Sequence, residues 1–241
     1  MKNYTFIVIV YLNTGFMLRG FNMHKIQVYL LLLLLSFLTS SPVLAYSSWK
    51  IVKENASIQL LVHPVPDSKV REYMAVAVFD STLSAPVALL EDTPVYTQWN
   101  YKCIEAKLLF KKNDYERITY MATESPWPVE NRDIAVKSLL VQDKSTGTIT
   151  IKLTGIPEYI PAKEGRVRMA SLHGYWIFEP LGCGKIRATY RLHNEPGGSV
   201  PDSLVNGTVK DIVYNTVLKM RSMVQKKCYK NGKLSYIKER P

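Results

Sequence analysis

Residues 185–227 read KIRATYRLHNEPGGSVPDSLVNGTVKDIVYNTVLKMRSMVQKK, and their pattern changes once, at Pro196-Gly197-Gly198. Over residues 185–193 apolar and polar side chains alternate, as in a strand that buries one face. Over residues 201–227 apolar residues recur at steps of three and four, which predicts an amphipathic helix with Pro201 in its first turn. Because such a helix must bury its apolar stripe, we expect it to lie on a sheet that includes the preceding strand.

The chain before this stretch is dominated by short strand-like segments. In the clearest one, Ile149, Ile151 and Leu153 alternate with polar residues. A short helix is predicted over residues 84–92, where Ser84 can cap the first turn. Further strands are predicted over residues 57–62, 71–79, 99–110, 115–123, 132–142, 148–154 and 166–178. We therefore predict an α+β fold in which a curved antiparallel sheet wraps around a long C-terminal helix, and a gap between two such layers is a natural ligand cavity.

Residues 1–45 are predicted to be an N-terminal extension and a secretory signal. After Met23, a short basic start precedes an apolar run with six consecutive leucines, and the run ends before Val43-Leu44-Ala45. This order is typical of a signal peptide that is cleaved after Ala45, and the run is too short to favour a membrane span. Whether Met1 or Met23 is the start, and whether the signal is cleaved or kept as an anchor, stays open. We predict an exported protein, periplasmic or secreted.

The rest of the chain is long enough for one domain with a sizeable core, which we place at residues 46–228, with a basic tail over residues 229–241. The chain has 31 Lys and Arg residues against 20 Asp and Glu residues. These basic residues are mostly spread along an exported chain, so we predict no nucleic-acid partner. They concentrate near the C-terminus at Lys226, Lys227, Lys230, Lys233, Lys238 and Arg240. Such a tail is either solvated or attracted to an anionic bilayer at about 1 kcal/mol per basic residue, and the second interpretation predicts transient contact with a membrane surface.

Several phrases resemble the START (steroidogenic acute regulatory protein-related lipid transfer) family, most closely its exported bacterial members. They are Pro126-Trp127-Pro128, Asn131-Arg132-Asp133, Val167-Arg168-Met169, residues 174–180, Thr189-Tyr190, residues 195–201 and Leu204-Val205-Asn206. Their order and spacing extend over about residues 49–227. The resemblance implies the helix-grip fold and a monomeric domain with a deep apolar tunnel that holds one lipid. It also implies that the C-terminal helix is part of the lid, and that Asn206 caps the helix or bonds neighbouring backbone.

The candidate ligand-binding residues combine aromatic walls, a helix roof and one charged group. They are Trp99, Arg132, Trp176, Tyr190, Val209, Ile212, Val213 and Met220. The resemblance implies that Arg132 points into the tunnel and pairs with an acid of the preceding strand, and Asp114, Glu116 and Glu124 remain the alternatives. A second possibility is that Arg132 and Asp133 tie the loop together at the surface. The indole of Trp127 is expected to be buried in a rigid turn.

No catalytic, nucleotide-binding or metal-binding signature is found in the sequence. The histidines that follow the signal, His63, His173 and His193, fall on different predicted strands without ligand spacing. This absence predicts a protein that is not an enzyme and needs no cofactor or metal, and the resemblance implies that it binds and transfers a lipid. One alternative is a cyclase-like helix-grip enzyme that uses His173 or Tyr190 in the same cavity. Another is an interaction domain of the cell envelope with a filled core.

Three cysteines allow at most one internal disulfide. From Cys183 the predicted strand runs ~36 Å to His193, and the predicted helix returns over ~40 Å. The two lengths nearly match, which brings Cys228 back beside Cys183. We therefore predict a Cys183–Cys228 disulfide and a free, buried thiol at Cys103, with three reduced thiols as the alternative.

Overall fold

A computed structural model of the protein describes residues 49–55 and 57–240. The predicted signal segment, the choice between Met1 and Met23, and cleavage after Ala45 lie outside the described residues. The strands are β1 (Lys50–Asn55), β2 (Ile58–His63), β3 (Glu72–Asp80), β4 (Cys103–Lys111), β5 (Glu116–Thr123), β6 (Asn131–Gln142), β7 (Ile149–Gly155), β8 (Arg166–Arg168), β9 (Ser171–Gly182) and β10 (Lys185–Glu195). The helices are α1 (Ser84–Glu91), α2 (Tyr96–Trp99), α3 (Asp202–Met223) and α4 (Lys227–Lys230), with 3-10 turns at Thr93–Val95 and Pro157–Tyr159.

All ten strands belong to one sheet in the order β1-β2-β3-β10-β9-β7-β6-β5-β4. Neighbours along this path are antiparallel, and the short β8 pairs in parallel with β6. The predicted α+β architecture, a curved antiparallel sheet with one long C-terminal helix, is confirmed.

The long helix α3 packs one face on the sheet, as its periodicity predicts. Its buried residues are Val205, Val209, Val213, Tyr214, Thr216, Val217, Met220 and Met223. It ends at Met223 rather than at Lys227, because the backbone of Lys226 is extended. The next helix, α4, begins at Lys227. Tyr229 of α4 turns into the protein, where its hydroxyl donates to Asp92 Oδ2 at 2.7 Å.

The strands differ from the prediction at three places. The strand predicted over residues 99–110 begins at Cys103, because Trp99 closes the short helix α2 and is buried. The segment 166–178 divides into β8 and β9, since β8 pairs with β6 and not with β10. The edge strand β1 was not predicted, and all six of its residues are exposed, so it lacks the alternation that reveals a half-buried strand.

The C-terminal tail is docked on the domain, which differs from the solvated tail considered above. Ile237 is buried, and Gln142 Oε1 accepts the backbone N–H of Lys238 at 2.9 Å. The carboxylate of Glu239 accepts the N–H groups of Leu83 and Ser84 at the start of α1, both at 2.8 Å. These donors lack partners within their own helix, so the carboxylate pairs with them. Its negative charge also interacts favourably with the positive end of the helix dipole. The tail lysines remain exposed.

The predicted disulfide is wrong for this structure: Cys183 and Cys228 are both free and exposed. The end of the long helix does lie near Cys183, as the strand and helix lengths predict. Gln225 Nε2 donates to the carbonyl of Asp80 at 2.5 Å, and Asp80 pairs with Lys185 at the start of β10. The chain then turns into α4, and the residue that packs inward there is Tyr229, not Cys228. Cys103 is a free, buried thiol, as expected.

Candidate functional site

Two cavities lie between α3 and the sheet. The aromatic cavity, of about 60 Å³, is lined by residues of α1, α2, α3 and five strands: Val87, Leu90, Glu91, Tyr96, Trp99, Asn100, Asp114, Tyr115, Arg117, Thr119, Met121, Val136, Ser138, Leu140, Ile151, Leu153, Trp176, Tyr190 and Thr216. The loop cavity, of about 50 Å³, lies below the first half of α3 and beside the β5–β6 loop, with Thr123, Pro126, Val129, Arg132, Met169, Asn194, Pro196, Val200, Leu204, Val205, Val209 and Ile212 among its lining residues.

One row of side chains on β5 and one on α3 extend from the first cavity to the second. On β5, Met121 faces the aromatic cavity and Thr123 the loop cavity, and on α3 Thr216 and Ile212 are divided in the same way. Asn100 bridges the two rows: its Oδ1 accepts from Thr216 Oγ1 at 3.5 Å, and its Nδ2 lies 3.6 Å from Met121 Sδ. The space beneath α3 is therefore divided in two, where the resemblance implies one deep tunnel.

The aromatic cavity contains three of the predicted residues. Trp99, Trp176 and Tyr190 all line it. The rings of Trp176 and Tyr190 are stacked, with centroids 4.1 Å apart and planes 8° from parallel. Burial raises the pKa of Tyr190, so its hydroxyl stays protonated and can donate.

The predicted helix residues divide between the loop cavity and the core. Val209 and Ile212 line the loop cavity, as does Arg132. Val213 and Met220 are fully buried and line neither cavity, so they hold α3 on the sheet. We expected both residues in the roof of the ligand cavity, but they lie in the packed core.

Among the residues that the structure describes, Arg132 has no acid partner, contrary to the prediction. Its guanidinium donates to the backbone carbonyls of Glu130, Pro196 and Gly197, the last at 3.2 Å. The candidate acids Asp114, Glu116 and Glu124 pair instead with Lys111, Lys137 and Lys102. Because carbonyls satisfy Arg132, it joins the β5–β6 loop to the turn before α3, and it does so as a buried residue rather than at the surface.

A buried ion pair that the sequence analysis did not predict joins β6 to β8, at the residue that follows Arg132. Asp133 is fully buried and accepts from Arg168 Nε at 2.8 Å and from the hydroxyl of Tyr120 at 3.0 Å. Arg168 also donates to the carbonyls of Ile160 and Pro161 at 2.9 and 3.0 Å. The pair therefore fixes the β7–β8 loop to the start of β6. Both residues occur in the quoted phrases, but the phrases do not show that they meet.

Charged groups close one side of the aromatic cavity. Arg117 of β5 pairs with Glu91 of α1, and Glu91 Oε1 also accepts from the hydroxyl of Tyr236 at 2.7 Å. Burial lowers the pKa of Arg117. The docked tail therefore contributes a residue at this wall through Tyr236.

Two other expectations concern Trp127 and Asn206. The indole of Trp127 is 93% exposed, which overturns its expected burial, because the loop turns the ring away from the domain. Asn206 bonds the β2–β3 loop, since its Oδ1 accepts from Arg71 N at 2.7 Å and its Nδ2 donates to Lys69 O at 3.1 Å. The prediction that Asn206 bonds neighbouring backbone is confirmed.

The alternative catalytic residue His173 is exposed on β9 and lines neither cavity. Within residues 49–55 and 57–240, no cluster of three or more His, Cys, Asp or Glu side chains could hold a metal ion. None of the helices in this described part combines the length and the apolar character of a membrane span.

Comparison with known proteins identifies similar chains. The family model described as START domain matches residues 43–230. An uncharacterized protein of Pseudomonas aeruginosa is 33% identical over 74% of this chain and 88% of its own length. A STAR-related lipid transfer protein from Xanthomonas axonopodis, a solved structure, is 29% identical with a TM-score of 0.69, covering 74% of this chain and 99% of that one. The phosphatidylcholine transfer protein of Mus musculus is 24% identical over 72% of this chain and 82% of its own length.

Proposed function

The chain belongs to the START domain family, and from this premise we propose that it binds one lipid between α3 and the sheet and carries it between membranes without covalent chemistry. The observation that carries the proposal is the pair of apolar cavities in line beneath α3. Burial of apolar ligand surface there supplies affinity at about 25 cal/mol per Å². The phosphatidylcholine transfer protein of Mus musculus and the STAR-related lipid transfer protein of Xanthomonas axonopodis are lipid transfer proteins by name, which supports the same proposal.

Lipid uptake requires the domain to open. Cavities of about 60 and 50 Å³ fall well below the roughly 300–1,000 Å³ of typical ligand pockets. Beside the aromatic cavity, Asn100 contacts Thr216 and Met121 only at 3.5 and 3.6 Å, and one hydrogen bond of ordinary length, from Tyr101 N to Thr216 Oγ1 at 3.1 Å, joins α3 to the segment after α2. We infer that α3 lifts at this level and joins the two cavities into one lipid site.

Extraction of the purified protein with organic solvent, followed by mass spectrometry, tests the proposal. We expect one lipid per chain, and uptake of lipid from donor vesicles by the emptied protein. Ile212→Trp fills the loop cavity and should abolish most of this uptake. Lys210→Trp places the same ring on the exposed face of α3 and is the matched control. The proposal fails if no lipid is recovered and none is taken up, or if both variants transfer lipid like the parent protein.

We further propose that the β5–β6 loop is the point of contact with the bilayer. Trp127 presents an exposed indole between two prolines, and indoles favour the membrane–water interface. Pro126 and Val129 of the same loop line the loop cavity, so insertion of Trp127 would bring this cavity to the membrane. The exposed tail lysines support a second, electrostatic attraction to anionic lipid.

Vesicle sedimentation separates these two contributions. Trp127→Ala should reduce binding to zwitterionic and anionic vesicles alike, at any salt concentration, and leave the unfolding temperature unchanged because the ring is exposed. Alanine at Lys233 and Lys238 should reduce only the binding to anionic vesicles at low salt. Undiminished binding of Trp127→Ala to zwitterionic vesicles would exclude the loop as the contact.

We also propose that the protein acts outside the cytoplasm, as a monomer. The signal-like pattern that ends at Ala45 supports export. Cell fractionation, N-terminal sequencing of the mature protein and light scattering test both statements. A cytoplasmic protein, or a stable dimer at micromolar concentration, would refute the corresponding one.

A further inference from the structure

Two polar groups in the aromatic cavity are buried without a hydrogen bond. Trp99 is 1% exposed and Thr119 is 3% exposed, and both line this cavity. Neither Trp99 Nε1 nor Thr119 Oγ1 has a hydrogen-bond partner among the residues that the structure describes. Buried polar groups are nearly always paired, because leaving one unpaired destabilises the fold. Two unpaired groups that line one cavity therefore indicate a ligand atom that pairs with them.

The charged groups around the same cavity are already neutralised by protein partners. Arg117 is paired with Glu91, and Asp114 is 2.9 Å from Lys111. An anionic head group would have to displace Glu91 from Arg117 and would leave that half-buried carboxylate with only the hydroxyl of Tyr236 as a partner, which is costly. Among the described residues, the buried cavity groups without a hydrogen bond are the N–H of Trp99 and the hydroxyl of Thr119, and both are uncharged, as is the hydroxyl of Tyr190.

We propose that the bound lipid is a neutral one, with an uncharged oxygen, a hydroxyl or a carbonyl, held inside the aromatic cavity by Trp99 Nε1–H and Thr119 Oγ1. This inference rests on the proposed function and names its ligand class. The oxygen accepts from Trp99 Nε1, and Thr119 Oγ1 donates to a carbonyl or either donates to or accepts from a hydroxyl. The hydrocarbon part packs on the stacked rings of Trp176 and Tyr190 and on the apolar side chains of β6 and β7.

A competition between lipids with identical acyl chains tests the ligand class. Diacylglycerol, phosphatidylcholine and phosphatidic acid are offered in the same vesicles, and the protein is recovered and its lipid is identified by mass spectrometry. We expect diacylglycerol to be enriched about tenfold over either phospholipid, because a buried phosphate would find hydrogen-bond donors but no free counter-charge in this cavity. Preferential uptake of phosphatidylcholine or phosphatidic acid would overturn the inference and leave the proposed function standing. Uptake of none of the three would overturn both.

Two threonines provide a matched pair of variants. Thr119→Val removes the cavity hydroxyl at nearly constant shape, so the dissociation constant for diacylglycerol should rise about five- to tenfold. The ligand-free protein should unfold at the same temperature or higher, because an unpaired buried hydroxyl is lost. Thr93 has an equally unpaired hydroxyl and is also 3% exposed, but it does not line the cavity. Thr93→Val should therefore change stability in the same direction and leave the affinity unaltered.

Trp99→Phe is the second variant, since it removes the N–H and keeps an aromatic ring. It should weaken diacylglycerol binding about as much as Thr119→Val does, and the two losses should not add, because one oxygen serves both groups. The inference is wrong if Thr119→Val binds diacylglycerol as tightly as the parent protein, or if Thr93→Val loses as much affinity as Thr119→Val.

Discussion

Asp133 is a fully buried carboxylate, and its hydrogen bonds join the start of β6 to β5 and to the β7–β8 loop. Arg168 and Tyr120 both hydrogen-bond to it, and Arg168 extends the contact to the carbonyls of the β7–β8 loop. The loop at 157–161 is thus fixed to the sheet through one guanidinium. A buried ion pair of this kind adds little against a well-packed apolar substitute, but loss of one partner leaves a buried charge.

We expect Asp133→Asn to lower the free energy of unfolding by about 3 kcal/mol, because the half-buried guanidinium of Arg168 loses its counter-charge. Urea denaturation followed by circular dichroism measures this change. Glu179→Gln breaks an exposed pair with Arg187, at 3.5 Å, and should change stability by less than about 1 kcal/mol. Equal effects of the two substitutions would show that the Asp133–Arg168 pair does not stabilise the fold.

The three cysteines differ in exposure, and this predicts their reactivity. Burial raises the pKa of Cys103 from its ordinary 9.0 to about 11, whereas Cys183 and Cys228 are exposed. At about pH 8 a thiol reagent should therefore label two sites in the folded protein and the third only after unfolding. Cys103→Ala should leave the native count at two. Labelling of no thiol before unfolding would restore the Cys183–Cys228 disulfide.

Among the elements, α3 contains a glycine, Gly207, whose low helix propensity destabilises the helix. Gly207 lies in the first half of α3, and a methyl group added there would meet no described atom within 4 Å. Glycine costs a helix interior roughly 0.5–1 kcal/mol relative to alanine. We expect Gly207→Ala to stabilise the protein by about this amount, which raises the unfolding temperature by about 1–4 °C.

A second glycine is the control for this substitution. Gly174 lies in β9, and an added methyl would collide with the carbonyl oxygen of Arg191 on the paired strand β10. Gly174→Ala should lower the unfolding temperature, since backbone atoms on both strands would have to move. Differential scanning calorimetry of both variants is the measurement, and a lower temperature for Gly207→Ala would contradict the account of α3.

Elements with a strong local pattern could be predicted from the sequence, and elements defined by tertiary contacts could not. The periodicity of α3 and the alternation in β7 and β10 reflect one buried face each, so they were recognised. Trp99 was placed in a strand because an aromatic residue suits a strand as well as a buried helix turn. Arg168 meets Asp133 across 35 positions, and Thr119 and Trp99 are unpaired only because of what surrounds them; neither fact has a local signature.

For the molecule as a whole, the tail supports α1, which forms one wall of the aromatic cavity. Tyr236 bonds to Glu91 beside Arg117, Ile237 is buried, and Glu239 satisfies the first N–H groups of α1. These contacts hold α1 against the sheet, and α1 supplies one wall of the cavity.

We expect deletion of residues 233–241 to lower the unfolding temperature and to accelerate exchange of lipid with vesicles. Substitution of Lys233 and Lys238 by alanine, in the full chain, is the control, because it removes tail charge and keeps the docking contacts. Calorimetry and a fluorescence transfer assay provide the two measurements. A deletion that exchanges lipid no faster than this control would show that the tail does not close the cavity.

The position of β10 in the sheet has a kinetic consequence. It lies between β3 and β9, and its partner residues Lys185 and Asp80 are 105 positions apart along the chain. Pairing across such a separation is slow, because the entropy of closing the loop is lost before the contacts form. Until β10 arrives, β3 presents an open edge with Tyr73, Ala75, Ala77 and Phe79 on its apolar face. Nascent or refolding chains are therefore most prone to aggregate, and most in need of a chaperone, in the interval before residues 185–195 insert.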